Sequence, residues 1–161
     1  MPNLKNIIKG RVNKKKGEIF ERILHLQAYK NHWVVVPIPS GCKQISATKI
    51  IRVKTPFDFF FVKKGKAAFI DAKLTKSKSF SFADLTQHQV LVLKKIEDEN
   101  FKAGYIINFE TLNKTAFFSG NLLYKLNRNS SLKPEDGVII GDNSNINIDT
   151  IFDYAPQGEI R

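Results

Sequence analysis

Cysteine and long apolar runs are both scarce in this sequence. Cys42 is the single cysteine among 161 residues, so no internal disulfide can form and a reducing compartment is expected. No apolar run approaches the roughly 18 residues of a membrane-spanning helix, and the basic N-terminus leads into more lysines instead of an apolar signal segment. The sequence therefore predicts a cytoplasmic protein with no membrane partner.

Other absences narrow the possible chemistry. The three histidines lack the spacing of metal ligands, and the sequence contains neither a Ser–His–Asp pattern nor a glycine-rich phosphate loop. The hydrophobic content of 42% is ordinary for a soluble globular protein, and the length suits one domain. Any chemistry is therefore expected to use acidic and basic side chains within a single domain.

Acidic residues are rare in the first half of the chain. Residues 1–83 contain 18 Lys or Arg and four acids, whereas residues 84–161 contain eight basic and eleven acidic residues. The net charge of +11 therefore comes from the first half, which predicts a polyanionic partner, most often nucleic acid. A lysine-rich surface that is merely solvated is the alternative. The four acids retained there are Glu18, Glu21, Asp58 and Asp71.

The stretch of residues 56–76, PFDFFFVKKGKAAFIDAKLTK, predicts a β-hairpin. Two runs rich in β-branched and aromatic residues flank Lys64-Gly65, a pair that suits a two-residue turn. That turn length puts Asp58 directly opposite Asp71. Alternation along the strands then predicts that Asp71 and Lys73 share the face of Asp58. The other face is predicted to carry Phe57, Phe59, Phe61, Ala68, Ile70 and Ala72.

Two carboxylates opposed across a hairpin repel each other, so this arrangement requires a cation. Lys73 supplies one, and a bound Mg²⁺, for which Mn²⁺ can substitute, would supply more charge. We expect Asp58, Asp71 and the Ala72 carbonyl to hold the metal, and Glu21 to bind it directly or through water. In hydrolysis of a phosphodiester, Lys73 would orient the attacking water or stabilise the pentacovalent phosphorane that forms at the scissile phosphate. The predicted catalytic residues are Glu21, Asp58, Asp71 and Lys73.

The rest of the chain predicts an α/β fold, with a central mixed β-sheet flanked by helices around this hairpin. Residues 1–16 are expected to form a flexible basic arm, residues 17–128 the core domain, and residues 129–161 an extension packed on the same domain. Helices are predicted at 18–29, 84–99 and 121–128, strands at 33–39, 103–109, 114–119, 138–141 and 147–152, and a loop at 40–43. The apolar face of the first helix is predicted to contain Ile19, Phe20, Ile23, Leu24 and Leu26, with Glu21 at its border.

Basic and polar side chains in and around these elements are the candidate DNA contacts. They are Lys14, Lys15, Lys16, Arg22, Ser40, Lys43, Lys76, Lys78 and Gln89. For the N-terminal lysines a solubilising tail is the alternative, and for Ser40 and Lys43 a plain connecting loop is.

Several of these motifs resemble known nucleases. Asp58 followed by Asp71-Ala72-Lys73 resembles the signature of the PD-(D/E)xK nuclease superfamily. Lys16-Gly17-x-x-x-Glu21-Arg22 resembles the first helix of the archaeal Holliday junction resolvases, which implies that Glu21 is the helix acid of the active site. The stretches 71–80 (DAKLTKSKSF), 88–89 (HQ) and 104–109 (GYIINF) resemble the RecU-like resolvases of Gram-positive bacteria and their phages. Two positions depart from the pattern, because RecU-like proteins usually carry Glu in place of Asp71 and Pro56 stands two residues before Asp58.

The resemblance implies a restriction-endonuclease-like fold and a homodimer that binds four-way DNA junctions and nicks two strands symmetrically. It implies no small-molecule cofactor. Two alternatives stay open at this point. One is another nuclease of the superfamily, of the restriction or repair type. The other is a non-catalytic basic DNA-binding module, in which the Asp and Lys residues of the hairpin form a structural ion pair.

Overall fold

The computed structural model describes residues 4–39, 41–46, 49–53 and 55–153, without the side chains of residues 4–11, 42–45 and 49–53. Within this part of the chain a six-stranded sheet forms the centre, and helices pack on both of its faces. The helices are α1 (Leu4–Lys30), α2 (Gln87–Asp98), α3 (Gly120–Tyr124) and α4 (Thr150–Asp153). The strands are β1 (Val34–Pro37), β2 (Gly41–Ser46), β3 (Lys49–Val53), β4 (Phe59–Lys63), β5 (Lys66–Thr75), β6 (Phe80–Ser81), β7 (Lys102–Phe109), β8 (Lys114–Ser119), β9 (Ser131–Leu132) and β10 (Val138–Gly141).

The central sheet is mixed. Its order is β1-β4-β5-β7-β8-β10, in which β5 and β7 run parallel and the other neighbouring strands run antiparallel. A parallel pair needs a crossover connection, which α2 supplies. Two short pairs, β2 with β3 and β6 with β9, stand apart from this sheet. The mixed sheet with flanking helices confirms the predicted fold class.

Hydrophobic residues cover the two faces of the sheet separately. Under α1, Phe20 and Leu24 of the helix pack with Phe59, Phe61 and Ile70 of the hairpin, and none of the five is more than 4% exposed. Under α2 and α3, a second cluster joins those helices to β7 and β8. Its fully buried members are Leu93, Ala103, Tyr105, Ile107, Phe109, Ala116, Phe118 and Leu123. The site described below lies where the first of these two clusters ends.

The turn between β4 and β5 has the predicted length. Lys64 and Gly65 both lie in the left-handed region, with φ angles of 47° and 77°, as a tight two-residue hairpin turn requires. Lys63 pairs with Lys66 beside the turn, and the same register continues along the two strands. The predicted register is therefore confirmed over the length of β4.

The register breaks at Asp58. Phe59 is the last residue of β4 to pair, with Ile70, and the amide of Asp58 also donates to the Ile70 carbonyl, at 2.9 Å. Asp58 therefore does not stand in the ladder directly opposite Asp71, as the sequence predicted. The prediction that Phe57 lies on the same face as Phe59 is also wrong. The extra residue shifts the alternation, so Phe57 packs edge-on against Phe69 on the α2 side, with ring centroids 5.2 Å apart.

Helix α1 begins earlier than predicted. It starts at Leu4 instead of residue 18, so residues 4–16 are helical where the sequence predicted a flexible arm. Lysine favours helices, whereas Gly17 costs the helix about 1 kcal/mol. The neighbouring Lys16 pairs with Glu110 at 2.5 Å. Among the described residues no helix, this long one included, is apolar enough to cross a membrane.

The buried face of α1 is narrower than predicted. Phe20, Leu24 and Ala28 form the buried row at intervals of four residues. Ile19 and Leu26, which were predicted to face the core, are 48% and 54% exposed. Ile23, also predicted on the apolar face, is partly buried and packs against the same cluster.

Three other predictions need correction. The expected loop at 40–43 is largely strand, because β2 pairs with β3, while Ser40 lies outside the described residues. Helix α2 begins at Gln87 instead of residue 84, since Thr86 caps it by accepting the amide hydrogen of Gln89. Residues 147–152 do not form a strand. That segment leads into α4 and buries Ile148 and Ile151 completely in the cluster under α1.

Candidate active site

A cleft of about 1220 Å³ opens between α1 and one end of the sheet. Its walls come from α1, from the end of β1 and the residues after it, from the start of β4, and from the end of β5. The charged side chains that line it are Lys14, Glu18, Glu21, Asp58, Lys73 and Lys76. Three of the four predicted catalytic residues therefore line one cleft.

Asp58 completes the edge of β5 where β4 has ended. Strand β5 continues to Thr75, but its last partner in β4 is opposite Ile70, so its next backbone groups on that side have no strand partner in β4. The Asp58 carboxylate accepts the amide hydrogen of Ala72, at 2.9 Å. A carboxylate here satisfies a nearly buried backbone donor, and its position is set by that bond.

Asp71 lies behind the wall of the cleft and is held from two sides. It is only 1% exposed. One carboxylate oxygen accepts a hydrogen bond from the side-chain amide of Gln89, at 3.0 Å, and the other accepts one from the Lys73 ammonium. The hydroxyl of Thr86 donates to the Gln89 side-chain oxygen at 2.7 Å. This bond orients the Gln89 amide so that its NH₂ group faces Asp71.

Burial and neighbouring acids raise the pKa values of two acidic groups of the site, Asp71 and Glu21. Burial raises the pKa of Asp71 to about 7, and the charges of Asp58 and Glu21 act in the same direction, although Lys73 opposes them. Burial and then the charge of Asp58 also raise the pKa of Glu21. Asp58, Asp71 and Glu21 therefore concentrate negative charge at the end of the cleft, which favours a cation there.

Lys73 supplies part of the compensating charge. Besides its bond to Asp71, its ammonium lies 3.4 Å from the Ala72 carbonyl oxygen and 5.6 Å from the centroid of the Tyr105 ring. Burial, followed by the charges of Asp71 and Asp58, raises the pKa of the Tyr105 hydroxyl, so this group stays protonated. The Lys73 side chain is 31% exposed, so the ammonium is held in place yet open to the cleft.

The donor set is suited to Mg²⁺, although it does not enclose a metal. Within the described part of the chain, no group of three or more His, Cys, Asp or Glu side chains is close enough to hold an ion. Mg²⁺ commonly needs only one or two carboxylates, with waters and substrate phosphate completing its coordination. Asp71, Asp58 and the Ala72 carbonyl provide oxygen atoms of this kind. The negative charges of the two carboxylates lie close together, and Lys73 compensates them only in part.

The predicted DNA contacts divide into four groups. Lys14, Lys15, Arg22, Lys76 and Lys78 are exposed, although Lys14 lies 3.9 Å from Glu18. Lys16 is half-buried and pairs with Glu110. Ser40 and the Lys43 side chain lie outside the described residues. Gln89 lies inside the site against Asp71, where its observed contacts are with the protein.

Two residues of the site were not predicted from the sequence. Thr86 stands three residues before Gln89, and this Thr-x-x-Gln spacing is a recognised signal for a helix N-terminus. Because α2 was predicted to begin at residue 84, that signal was missed. Tyr105 lies within a strand that was predicted correctly, yet its proximity to Lys73 depends on the parallel pairing of β5 with β7. No local pattern reveals that pairing.

The mixed sheet, the helix that carries Glu21 and the Asp–Ala–Lys strand together define the class of protein, a restriction-endonuclease-like fold. The family model for RecU, recombination protein U, matches residues 16–138, and the chain belongs to that family. The resemblance to RecU-like proteins is thereby confirmed.

A solved structure supports the same fold. The chain is similar to Hjc from Archaeoglobus fulgidus, described as a Holliday junction resolvase from an archaeal hyperthermophile, with a TM-score of 0.56 and 17% identity. The match covers 77% of this chain and 96% of Hjc. At this identity the likeness establishes the fold alone. No curated protein is similar enough in sequence to count as a match.

Proposed function

We propose that this protein is a divalent-metal-dependent endodeoxyribonuclease that binds four-way DNA junctions and resolves them with paired, symmetric nicks. The observation that carries the proposal is that Glu21, Asp58 and Lys73 line one cleft, with Asp71 bonded to Lys73 behind its wall, in a chain of the RecU family. The active unit is a homodimer, because two symmetric nicks need two active sites.

The side chains divide the chemistry among them. Asp58, Asp71 and the Ala72 carbonyl would hold Mg²⁺, and Glu21 approaches the same region from α1. When bound, the metal lowers the pKa of a water molecule and neutralises charge on the scissile phosphate. Lys73 stabilises the additional negative charge that the phosphate acquires during attack, because its ammonium is held beside Asp71 and remains open to the cleft. Gln89 keeps Asp71 in a single orientation.

Basic residues around the cleft support DNA as the substrate. Lys14 of α1 and Lys76, the residue after β5, line it. Lys15 and Arg22 of α1 and Lys78 beyond β5 are exposed. Phosphate contacts of this kind position a duplex without reading its sequence, as recognition of a junction by its shape requires. The fold shared with a Holliday junction resolvase adds support for a branched substrate.

A structural ion pair between Asp71 and Lys73 is the simplest competing interpretation. Such a pair ordinarily holds the pKa of its carboxyl below the usual value. The pKa of Asp71 is instead raised to about 7, because burial and the neighbouring acids outweigh the effect of Lys73. A buried structural pair would share the effect of burial, so it is the charges of Asp58 and Glu21 beside the pair that favour a site able to receive a further cation.

A cleavage assay across DNA structures tests the proposal. Wild-type protein with Mg²⁺ or Mn²⁺ is expected to cut a four-way junction in preference to linear duplex or single strands. Asp71→Asn should lower the cleavage rate by about a thousandfold and leave junction binding intact, because it removes a metal ligand and little of the basic surface. The nuclease proposal fails if the wild type cuts none of these substrates. Equal affinity for all three in competitor DNA would remove the junction preference and leave open a restriction- or repair-type nuclease.

A further inference from the structure

A regular apolar patch crosses three strands on the α2 side of the sheet. Pairing of β1 with β4 and of β4 with β5 aligns its members in two cross-strand rows. One row contains Val34, Val62 and Ala67, and the next contains Val36, Phe60 and Phe69. Phe57 and Phe101 extend the patch, with ring centroids 5.2 and 6.0 Å from that of Phe69. We call these eight residues the β1–β4–β5 patch.

The patch remains open although the rest of this sheet face is covered. Helices α2 and α3 pack on β7 and β8, where the core residues are fully buried. In the patch, Val34 is 62% exposed, Phe101 is 49% exposed and Val36 is 41% exposed. Contiguous exposed apolar side chains mark interaction sites, whereas single ones scattered over a surface are ordinary. The exposed rows therefore indicate a docking surface.

Charge identifies the kind of partner. None of the eight residues is charged, whereas the chain as a whole carries a net charge of +11. DNA is a poor fit, because its phosphates are attracted to cations and not to apolar side chains. Two copies of so basic a chain repel each other across most of their surfaces, so they can meet closely only where a neutral surface faces another. An apolar patch is complementary to itself across a twofold axis.

The edge of the sheet supports the same occupant. β1 is an outer strand and Val34–Pro37 is uncharged, while its shortness and Pro37 protect its backbone edge, so a partner is expected to contact its side chains and not to extend the sheet. The patch also adjoins the candidate active site, since Phe57 and Phe69 precede Asp58 and Asp71 by one and two residues. A partner seated here would touch the strands that carry the carboxylates.

We propose that the β1–β4–β5 patch is the surface through which a second copy of this chain docks. The inference rests on the proposed function, because paired nicks need two active sites in one assembly. Isologous docking through the patch joins two β4–β5 hairpins, and with them two candidate sites, in one symmetric unit. The residues at its centre are Phe60 and Phe69, and Val34 and Phe101 lie toward its ends.

Matched lysine substitutions on the two edge strands test this surface. Val36→Lys on β1 is compared with Ile139→Lys on β10, since these residues are 41% and 42% exposed. Sedimentation velocity on the full chain should find dimers for the wild type and for Ile139→Lys. Val36→Lys should raise the dimer dissociation constant by about a hundredfold or more, because it buries an unpaired charge. Thermal unfolding checks that each variant is folded. If Val36→Lys does not fold, Val34→Lys replaces it in the test, because Val34 is 62% exposed.

Three outcomes would overturn the assignment. In the first, the wild type stays monomeric with junction DNA present. In the second, lysine variants on β1 dimerise as tightly as the wild type, and in the third, Ile139→Lys raises the dimer dissociation constant as much as Val36→Lys does.

A supercoiled plasmid with an extruded four-way junction separates this inference from the proposed function. Wild type should linearise it, whereas Val36→Lys should release mainly nicked circles. If β1 lysines dissociate the dimer and no form of the protein cuts DNA, the docking surface stands and the nuclease proposal fails. If the wild type cuts and the β1 lysines leave the dimer intact, the nuclease proposal stands and the docking surface fails.

Discussion

The two ends of the β4–β5 hairpin follow different rules. At the turn, Lys64 and Gly65 close a regular ladder, and Lys63 pairs with Lys66 as local geometry requires. At the open end the ladder stops at Phe59, and Asp58 uses its side chain to bond the backbone of Ala72. The regular end determines which strands pair, whereas the irregular end turns a strand edge into a site that side chains can occupy.

This difference separates stability from chemistry within one hairpin. The residues on either side of the turn pair across the hairpin, so that end is expected to contribute to folding and not to chemistry. Beyond Ile70, β5 leaves part of one edge without a strand partner, and the candidate catalytic groups gather along it. Substitutions at the two ends should therefore change different measured quantities.

The largest effect is expected at Asp58. Asp58→Asn keeps an oxygen that can accept the Ala72 amide hydrogen, and Asp58→Ala does not. Both should lower single-turnover cleavage of a junction with Mg²⁺ by about a thousandfold, which is about 4 kcal/mol in the barrier. Only Asp58→Ala should also lower the free energy of unfolding, by about 1–2 kcal/mol, because it leaves a nearly buried amide unpaired. Cleavage by Asp58→Asn within about tenfold of wild type would contradict a metal-binding role for this carboxylate.

A pH effect on stability is expected at Asp71. Its pKa is raised from 3.8 to about 7, so between these values the folded protein binds more protons at this group than the unfolded chain does. The free energy of unfolding of metal-free protein should therefore fall as pH rises through that window, by up to about 4 kcal/mol. Asp71→Asn should remove this fall, as measured by urea unfolding from pH 4 to 8 with chelator. Parallel pH profiles for variant and wild type would show that Asp71 is not the titrating group.

The smallest effect is expected at the turn. Gly65 has a φ angle of 77°, and a Cβ added there meets no atom within 4 Å, so Gly65→Ala introduces backbone strain without a clash. The free energy of unfolding should fall by about 1 kcal/mol. Lys64→Asn should raise it by about 0.5 kcal/mol, because asparagine tolerates the left-handed region better. The cleavage rate per folded molecule should not change in either variant. A lower rate under conditions where the variant is fully folded would show that the turn end of the hairpin also affects the chemistry.

Local signals explain the parts of the fold that could be predicted. The Lys64-Gly65 turn determined the register of β4 with β5, and alternating or continuous apolar runs located β7 and β8 to within one residue. Both signals depend on residues close together in the chain. The same signals brought Asp58, Asp71 and Lys73 to one end of the sheet before any tertiary pairing was known.

Contacts between distant residues explain what could not be predicted. The contact of Lys16 with Glu110 joins α1 to a residue 94 positions away in the chain. At Asp58, where the ladder ends, the backbone also contacts a distant residue, because the Ile38 amide donates to the Asp58 carbonyl at 2.8 Å. The hold of Gln89 on Asp71 requires both the true start of α2 and the parallel pairing of β5 with β7. Each of these features is set by tertiary structure, which single-sequence periodicity does not report.

The placement of β5 between β4 and β7 also sets an order of assembly. A hairpin such as β4–β5 closes within about 1–10 μs, whereas the parallel pairing that joins Ala68 to Lys102 must wait for the whole crossover through α2. Asp58 and Asp71 therefore meet early, and Gln89 arrives only when the crossover docks. We expect a ribosome-bound chain that has emerged only as far as β5 to bring Asp58 and Asp71 together without Gln89, which orients Asp71. The nascent protein is therefore expected to stay inactive until its second half has been made.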